Sequence, residues 1–279
     1  MTSTVHAVES RRFTVNISFL YGLGFSLLAL NAVSTSIFAV LNGSTTGLGE
    51  PLLGVNAIIW FALFAMLKFA VDDKDAIQVR PTDIVLFALM LIAALLPMHF
   101  AAAGMLFFAA VIALFQSKPA TGARRISYIA LALSVPLLWS PMTLAFFGRE
   151  VTYLESVIVT GLTGLETNRN VLIGLDGSQY IIAGGCSVLA NLSLMTVVLT
   201  CFAGLFEVRQ PRLMVLWGVA GMVGVILINS MRLASLAYFP NEFAFLHDGI
   251  GRMLFGMASV VLMLFVAIMG VLADARRRA

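Results

Sequence analysis

Asp83–Gln116 reads DIVLFALMLIAALLPMHFAAAGMLFFAAVIALFQ, an almost unbroken apolar run. Wound as one α-helix it is about 51 Å long, against about 30 Å of hydrocarbon in a bilayer. Pro97 stands near its middle, where proline removes a helical hydrogen bond and clashes with the preceding turn. The run therefore predicts two short helices, 83–97 and 100–116, joined by a tight turn at Pro97-Met98-His99. Charge supports this choice. With two passes here and the N-terminus inside, Arg11, Arg12, Lys68, Lys74, Arg80, Lys118, Arg124, Arg125, Arg209, Arg212, Arg276, Arg277 and Arg278 share the cytoplasmic side. Of the 17 Lys and Arg residues, only Arg149, Arg169, Arg232 and Arg252 then fall elsewhere. A single pass would put Lys118, Arg124 and Arg125 outside and invert everything after them.

Working outward, the other apolar blocks give spans at 17–41, 52–71, 127–147, 181–206, 213–238 and 246–273. The expected fold class is an all-α polytopic membrane protein of about eight spans, both termini cytoplasmic, in one domain covering 1–279. Composition agrees. Sixty per cent of the 279 residues are hydrophobic, 11% are charged and mean hydropathy is +0.99. A soluble domain carries about 25% charged residues, so this chain has too little polar surface to cover a water-soluble globule. The polar first residues, Met1 to Arg12, do not read as a cleavable signal peptide. A formal charge of +3 does not argue for nucleic acid as a partner, because most basic residues serve topology. Three scattered histidines and two cysteines make no metal-ligand spacing.

The one sizeable non-spanning piece is the outer loop 148–180. Val151, Leu154, Ile158, Leu162 and Leu165 recur at helical spacing and predict a helix lying in the interface. Two apolar runs around Asp176-Gly177 predict a β-hairpin with a type I′ turn, leading into Cys186. The acidic residues Glu150, Glu155 and Glu166 are expected to be solvated.

Ionisable groups inside spans are costly and are functional candidates. The topology places Cys186 one to two turns inside the outer end of the sixth span. It places Arg232 about six residues from the outer end of the seventh, and His247 at the outer start of the eighth. A thiol, a guanidinium and an imidazole thus share one depth. A thiolate near a helix start or a cation is a nucleophile. His247 is suited to move its proton, and Arg232 to stabilise an oxyanion. Asn229 shares the Arg232 face and is expected to orient His247 or bond Arg232. Ser187 is a supporting residue. Each also has a plainer reading: a packed cysteine, an arginine reaching the interface or pairing with Glu242, an interfacial histidine. Cys201 reads as packing and His99 as interfacial. Arg252, four residues after Asp248, reads as its ion-pair partner.

The pieces Gly185-Cys186-Ser187, Asn229-Ser230-Met231-Arg232 and His247-Asp248-Gly249-Ile250-Gly251 resemble the exosortase/archaeosortase family. The likeness covers roughly 171–266, and Gly185 stands where members commonly carry alanine. The resemblance implies an eight-span enzyme of the cytoplasmic (inner) membrane with its site facing outward. Cys186, Arg232 and His247 would be catalytic. Substrates would be exported, membrane-anchored proteins with a C-terminal motif, a membrane helix and a basic tail, and the cleaved carboxyl end would pass to an acceptor. The partners are those substrates and the lipid bilayer, and no cofactor is needed. The rivals are a transporter or permease, with midplane polar groups in paired halves, and a non-enzymatic subunit of an export system.

Overall fold

The structure is a computed structural model that describes residues 16–43, 53–73 and 79–278. The expected positions of Arg11, Arg12 and Lys74, and the expected start of the second span at Leu52, lie outside the described residues.

Eleven helices and one small sheet are described. Helix α1 (Ile17–Ala32) starts at Asn16, whose side chain accepts the Ser18 N–H at 2.8 Å. It breaks at Val33 into α2 (Ser34–Leu41), with a 56° bend. The segment expected to be the first span is therefore bent, and side chains are the cause. Ser34 Oγ donates to Asn31 O at 2.7 Å, while Asn31 Nδ2 donates to Ala94 O at 2.9 Å and Leu96 O at 2.7 Å. Those carbonyls end α4 (Pro81–Leu95). After Leu96-Pro97-Met98 comes α5 (His99–Gln116), so the long apolar run is broken where proline predicts. His99 is half-buried at this turn, with Nδ1 3.1 Å from both Asn31 O and Ser34 Oγ. Helix α3 (Ala57–Asp72) and α1 pack with α6 (Gly122–Ser134). Tyr21 crosses to α4 and donates to Asp83 Oδ1 at 2.7 Å.

The segment expected to be the fifth span departs most from expectation. Helix α6 passes through a π turn, Val135–Trp139, into α7 (Ser140–Thr163). Pro136 cannot donate to the ladder, and widening the turn absorbs that defect. Phe147 has non-helical angles (φ −125°, ψ 22°), which kink α7 just before the stretch expected to lie in the interface. Past the kink the helix is inside-out by soluble standards. Leu154 is 61% exposed and Glu155 only 6%. Thr152, Ser156 and Val159 are buried, while Val157, Ile158 and Leu162 are exposed. Of the expected apolar stripe, Leu154, Ile158 and Leu162 face outward, Val151 is half-buried and Leu165 is buried, while the polar stripe faces the protein.

Next comes a three-stranded antiparallel sheet: β1 (Thr167–Asn168), β2 (Val171–Ile173) and β3 (Gln179–Ile181), with Leu172 opposite Tyr180. The hairpin forms, but its turn is not type I′. Gly174 N donates to Ser178 O at 2.8 Å and Gly177 N to Gly174 O at 2.9 Å, and only Gly177 within the loop is left-handed (φ 81°). That is a three-residue loop, in which glycine takes the one left-handed position.

The helix in the segment expected to be the sixth span begins later than expected. Ile181 belongs to β3, a 3-10 turn covers Gly184–Cys186, and α8 runs Leu189–Leu205. Helix α9 (Pro211–Tyr238) opens with proline at its first position. Short α10 (Phe243–His247) and long α11 (Ile250–Arg276) follow. Helices α8, α9 and α11 pack on one another, and α8 joins them to α3 and α6. Cys201 is fully buried in the main core.

Helices α5, α9, α11 and the merged segment Gly122–Thr163 are each long and apolar enough to cross a membrane. The bent pair α1–α2 passes the same test when taken together, which makes four or five such segments, and α4 and α8 are shorter apolar helices. Large apolar side chains cover their outer faces, among them Phe108, Phe115, Val215 and Val261. In hydrocarbon such a surface carries no penalty, so the architecture is compatible with a multi-pass membrane protein.

Candidate active site

Cys186 is held by its backbone before its side chain is considered. Ile182 N donates to Asn170 O at 2.8 Å, and Asn170 Nδ2 returns a bond to Ile182 O at 3.2 Å, closing the end of the hairpin. The chain then turns through Gly184-Gly185, with Cys186 N donating to Ala183 O at 2.8 Å and Ser187 N to Gly184 O at 3.1 Å. Cys186 thus lies three residues before α8, not inside it.

Two side chains from other helices fix this turn. Asn229, buried on α9, donates through Nδ2 to Cys186 O at 3.1 Å. It therefore grips the cysteine backbone and does not orient His247 or bond Arg232. Glu155, buried on α7, accepts from Ser187 Oγ and from Val188 N at 3.0 Å, both through Oε1. Ser187 Oγ in turn accepts the Leu189 N–H at 3.2 Å. A carboxylate thus satisfies donors at the start of α8, the end where negative charge is favoured. The expectation of a solvated Glu155 is overturned. The signal was present in the sequence: Thr152, Glu155, Ser156 and Val159 stand at helical spacing opposite the apolar stripe. In a lipid-facing helix, that face turns inward. Glu155 Oε2 is buried with no hydrogen-bond partner among the described residues.

His247 ends α10, a helix distinct from α11. Its ring stacks on Phe243, one turn earlier, at 4.9 Å and 11°. Phe243 stacks on Tyr180 of β3 at 5.5 Å and 22°. The column Tyr180–Phe243–His247 ties the imidazole plane to the hairpin that delivers Cys186. Gly251 permits the tight passage from α10 to α11, since a Cβ there would stand 2.9 Å from both Leu246 Cα and Phe245 O.

The reactive atoms meet. His247 Nε2 lies 3.8 Å from Cys186 Sγ, and His247 Nδ1 lies 2.8 Å from Asp248 Oδ1. Asp248 bonds His247 and forms no ion pair with Arg252, so the intrahelical pairing expected from their spacing is corrected. A carboxylate accepting from Nδ1–H leaves the Nε2 lone pair directed at the thiol, the arrangement needed to remove its proton. Cys186 is 8% exposed and belongs to a buried apolar cluster with Leu172, Ile182, Leu233 and Ala237.

Arg232 is half-buried on α9, within electrostatic reach of Cys186, Asp248 and Arg252. Its Nε is buried with no hydrogen-bond partner among the described residues, and no pairing with Glu242 forms. All five sequence-derived residues, Cys186, Ser187, Asn229, Arg232 and His247, therefore gather at one end of α8 and α9. Glu155, Asp248 and Phe243 join them. Compared with protein-family models, curated proteins and solved structures, the chain matches none.

Proposed function

We propose that the chain is a membrane-embedded cysteine protease or transpeptidase, with eight spans, both termini cytoplasmic and its site on the outer face of the cytoplasmic membrane. The observation that carries the reading is the Cys186–His247–Asp248 line, with thiol and imidazole at 3.8 Å and the far ring nitrogen on a carboxylate at 2.8 Å. In the proposed reaction Nε2 of His247 takes the Cys186 thiol proton, and the thiolate attacks the carbonyl carbon of the scissile peptide. Arg232 stabilises the tetrahedral oxyanion. The C–N bond breaks, the leaving amine receives the proton from His247, and a thioester to Cys186 remains. Water or an acceptor nucleophile then attacks the thioester carbonyl and gives its proton to His247, the C–S bond breaks, and His247 returns the proton to the departing Cys186 sulfur. The substrate class follows from the resemblance to the exosortase/archaeosortase family: exported proteins with a C-terminal motif, a membrane helix and a basic tail.

Trapping the thioester tests the chemistry. Rapid denaturation of the enzyme with a tailed substrate should give a covalent adduct at Cys186, released by neutral hydroxylamine. Absence of an adduct, together with undiminished processing after Cys186 is alkylated, would overturn the reading.

Accessibility labelling tests the topology independently. Single cysteines at Asp176 should react with an impermeant reagent from outside, and those at Lys118 and Arg209 only from inside. Outside labelling at Lys118 would remove the eight-span arrangement.

A further inference from the structure

At the end of the bundle away from Cys186, a cavity of about 700 Å³ opens between the start of α6, the end of α8 and the start of α9. Its rim carries Arg124, Arg125 and Arg209 against one acid, Glu207. Arg125 is spent on that acid, with Nη2 2.8 Å from Glu207 Oε1. Arg124 donates to Ser117 O at 3.3 Å and to Tyr128 OH at 3.3 Å, and its guanidinium lies over the Tyr128 ring. All these acceptors are uncharged, so its charge is not neutralised there. Arg209 is exposed, and its side chain makes no hydrogen bond or ion pair among the described residues. The deeper walls are apolar: Leu199 from α8, then Met214 and Val215 from α9, the last exposed on the outer face of the bundle.

A surplus of guanidinium at the rim and hydrocarbon on the walls select one kind of molecule. Phosphate oxygens match the forked donors of arginine. A soluble phosphate compound gains nothing from the apolar walls, and a neutral lipid leaves the arginines unanswered. We propose that this cavity is a binding site for an anionic phospholipid, with its phosphate headgroup between Arg124 and Arg209 and the upper part of an acyl chain along Leu199, Met214 and Val215. The site is remote from the cysteine and independent of what that cysteine does.

The test uses the full chain purified in detergent, titrated with phosphatidylglycerol or phosphatidylcholine of equal chain length and read by native mass spectrometry and thermal shift. Saturable binding with clear preference for phosphatidylglycerol is expected. Each arginine near a lipid headgroup is worth about fivefold in affinity. Arg209→Gln should therefore weaken phosphatidylglycerol about fivefold without loss of fold, because its side chain makes no hydrogen bond or ion pair among the described residues and acts on Glu207 only through its charge. Adding Arg124→Gln should extend the loss to roughly 25-fold if the two act independently. Arg277→Gln, an exposed arginine outside the cavity, should leave the preference intact. Equal affinity for the two lipids would overturn the proposal. So would undiminished preference in Arg209→Gln and the double variant, or an equal effect of Arg277→Gln, which would make the arginines a diffuse surface charge. Arginine-dependent binding of inorganic phosphate that matches or displaces phosphatidylglycerol would assign the site to free phosphate instead.

Discussion

Cys186→Ala should abolish maturation of a tailed substrate while the protein stays in the membrane at its normal amount. Removing the nucleophile of a hydrolase that works as a unit costs on the order of 10⁶ in kcat. No other thiol is placed to replace it, because Cys201 is fully buried in the core. The cost to stability is small by comparison. Cys186 loses one sulfur atom from the buried cluster that includes Leu233 and Ala237, comparable to deleting a methylene, about 1 kcal/mol. The groups that hold the turn act on its backbone and on Ser187, namely Asn229 on Cys186 O and Glu155 on Ser187 and Val188, and they survive the change. The measurement is paired: full-length substrate by immunoblot, and variant protein in the membrane fraction. Normal protein with undiminished processing would leave a transporter or export subunit as the better reading. His247 Nε2 would then be simply the polar neighbour of a packed cysteine.

The parts of this fold that were legible in the sequence are those set by local chemistry. Pro97 breaks the long apolar run because a proline cannot be carried through a helix without cost, and the break falls where that argument puts it. Asp176-Gly177 turns a hairpin because glycine supplies the one left-handed position. Its exact turn type was not legible, because two-residue and three-residue loops share the same Asp-Gly signal. Hydropathy also misplaced the start of α8. Ile181 and Ile182 are as apolar as the helix that follows, yet Ile181 pairs with Val171 across the hairpin. The bend at Val33 has neither proline nor glycine beside it and depends on Asn31 reaching the carbonyls of α4, a contact between segments far apart in sequence.

The candidate site divides the same way. Cys186, Arg232 and His247 stood out because a polar group at membrane depth is conspicuous wherever it is. Their supports did not. Asp248 has an attractive i,i+4 partner in Arg252, and only the loop between α10 and α11 turns its carboxylate to the imidazole. Glu155 lies 31 residues before Cys186, within a segment whose apolar stripe drew the reading toward solvent on the other face. Placing it needs the inside-out rule for lipid-facing helices, together with the return of the chain through the sheet, which brings α7 against the 3-10 turn.

Arg232→Lys should lower processing by about 10²–10³ while the protein inserts normally. That is the worth of one preorganised donor to an oxyanion. Arginine offers a planar fork with five N–H donors on a delocalised charge, whereas lysine offers a mobile ammonium. In this site the difference is sharpened by the buried Nε of Arg232, which no described residue engages. A donor left without a partner in the site can bond an oxygen that arrives only with substrate. Lysine has no counterpart to that Nε–H, so the conservative change should remove the interaction rather than weaken it. Insertion should survive, because lysine reaches water from the same depth along a stem of similar length. Substrate affinity gives a second reading. If Arg232 acts in the transition state, kcat and kcat/KM fall together; if it only holds the substrate, KM rises alone. Wild-type processing with lysine would take Arg232 out of the mechanism and leave it as an interfacial anchor. Loss of both processing and protein would assign it to the packing of α9, and the oxyanion would need another donor.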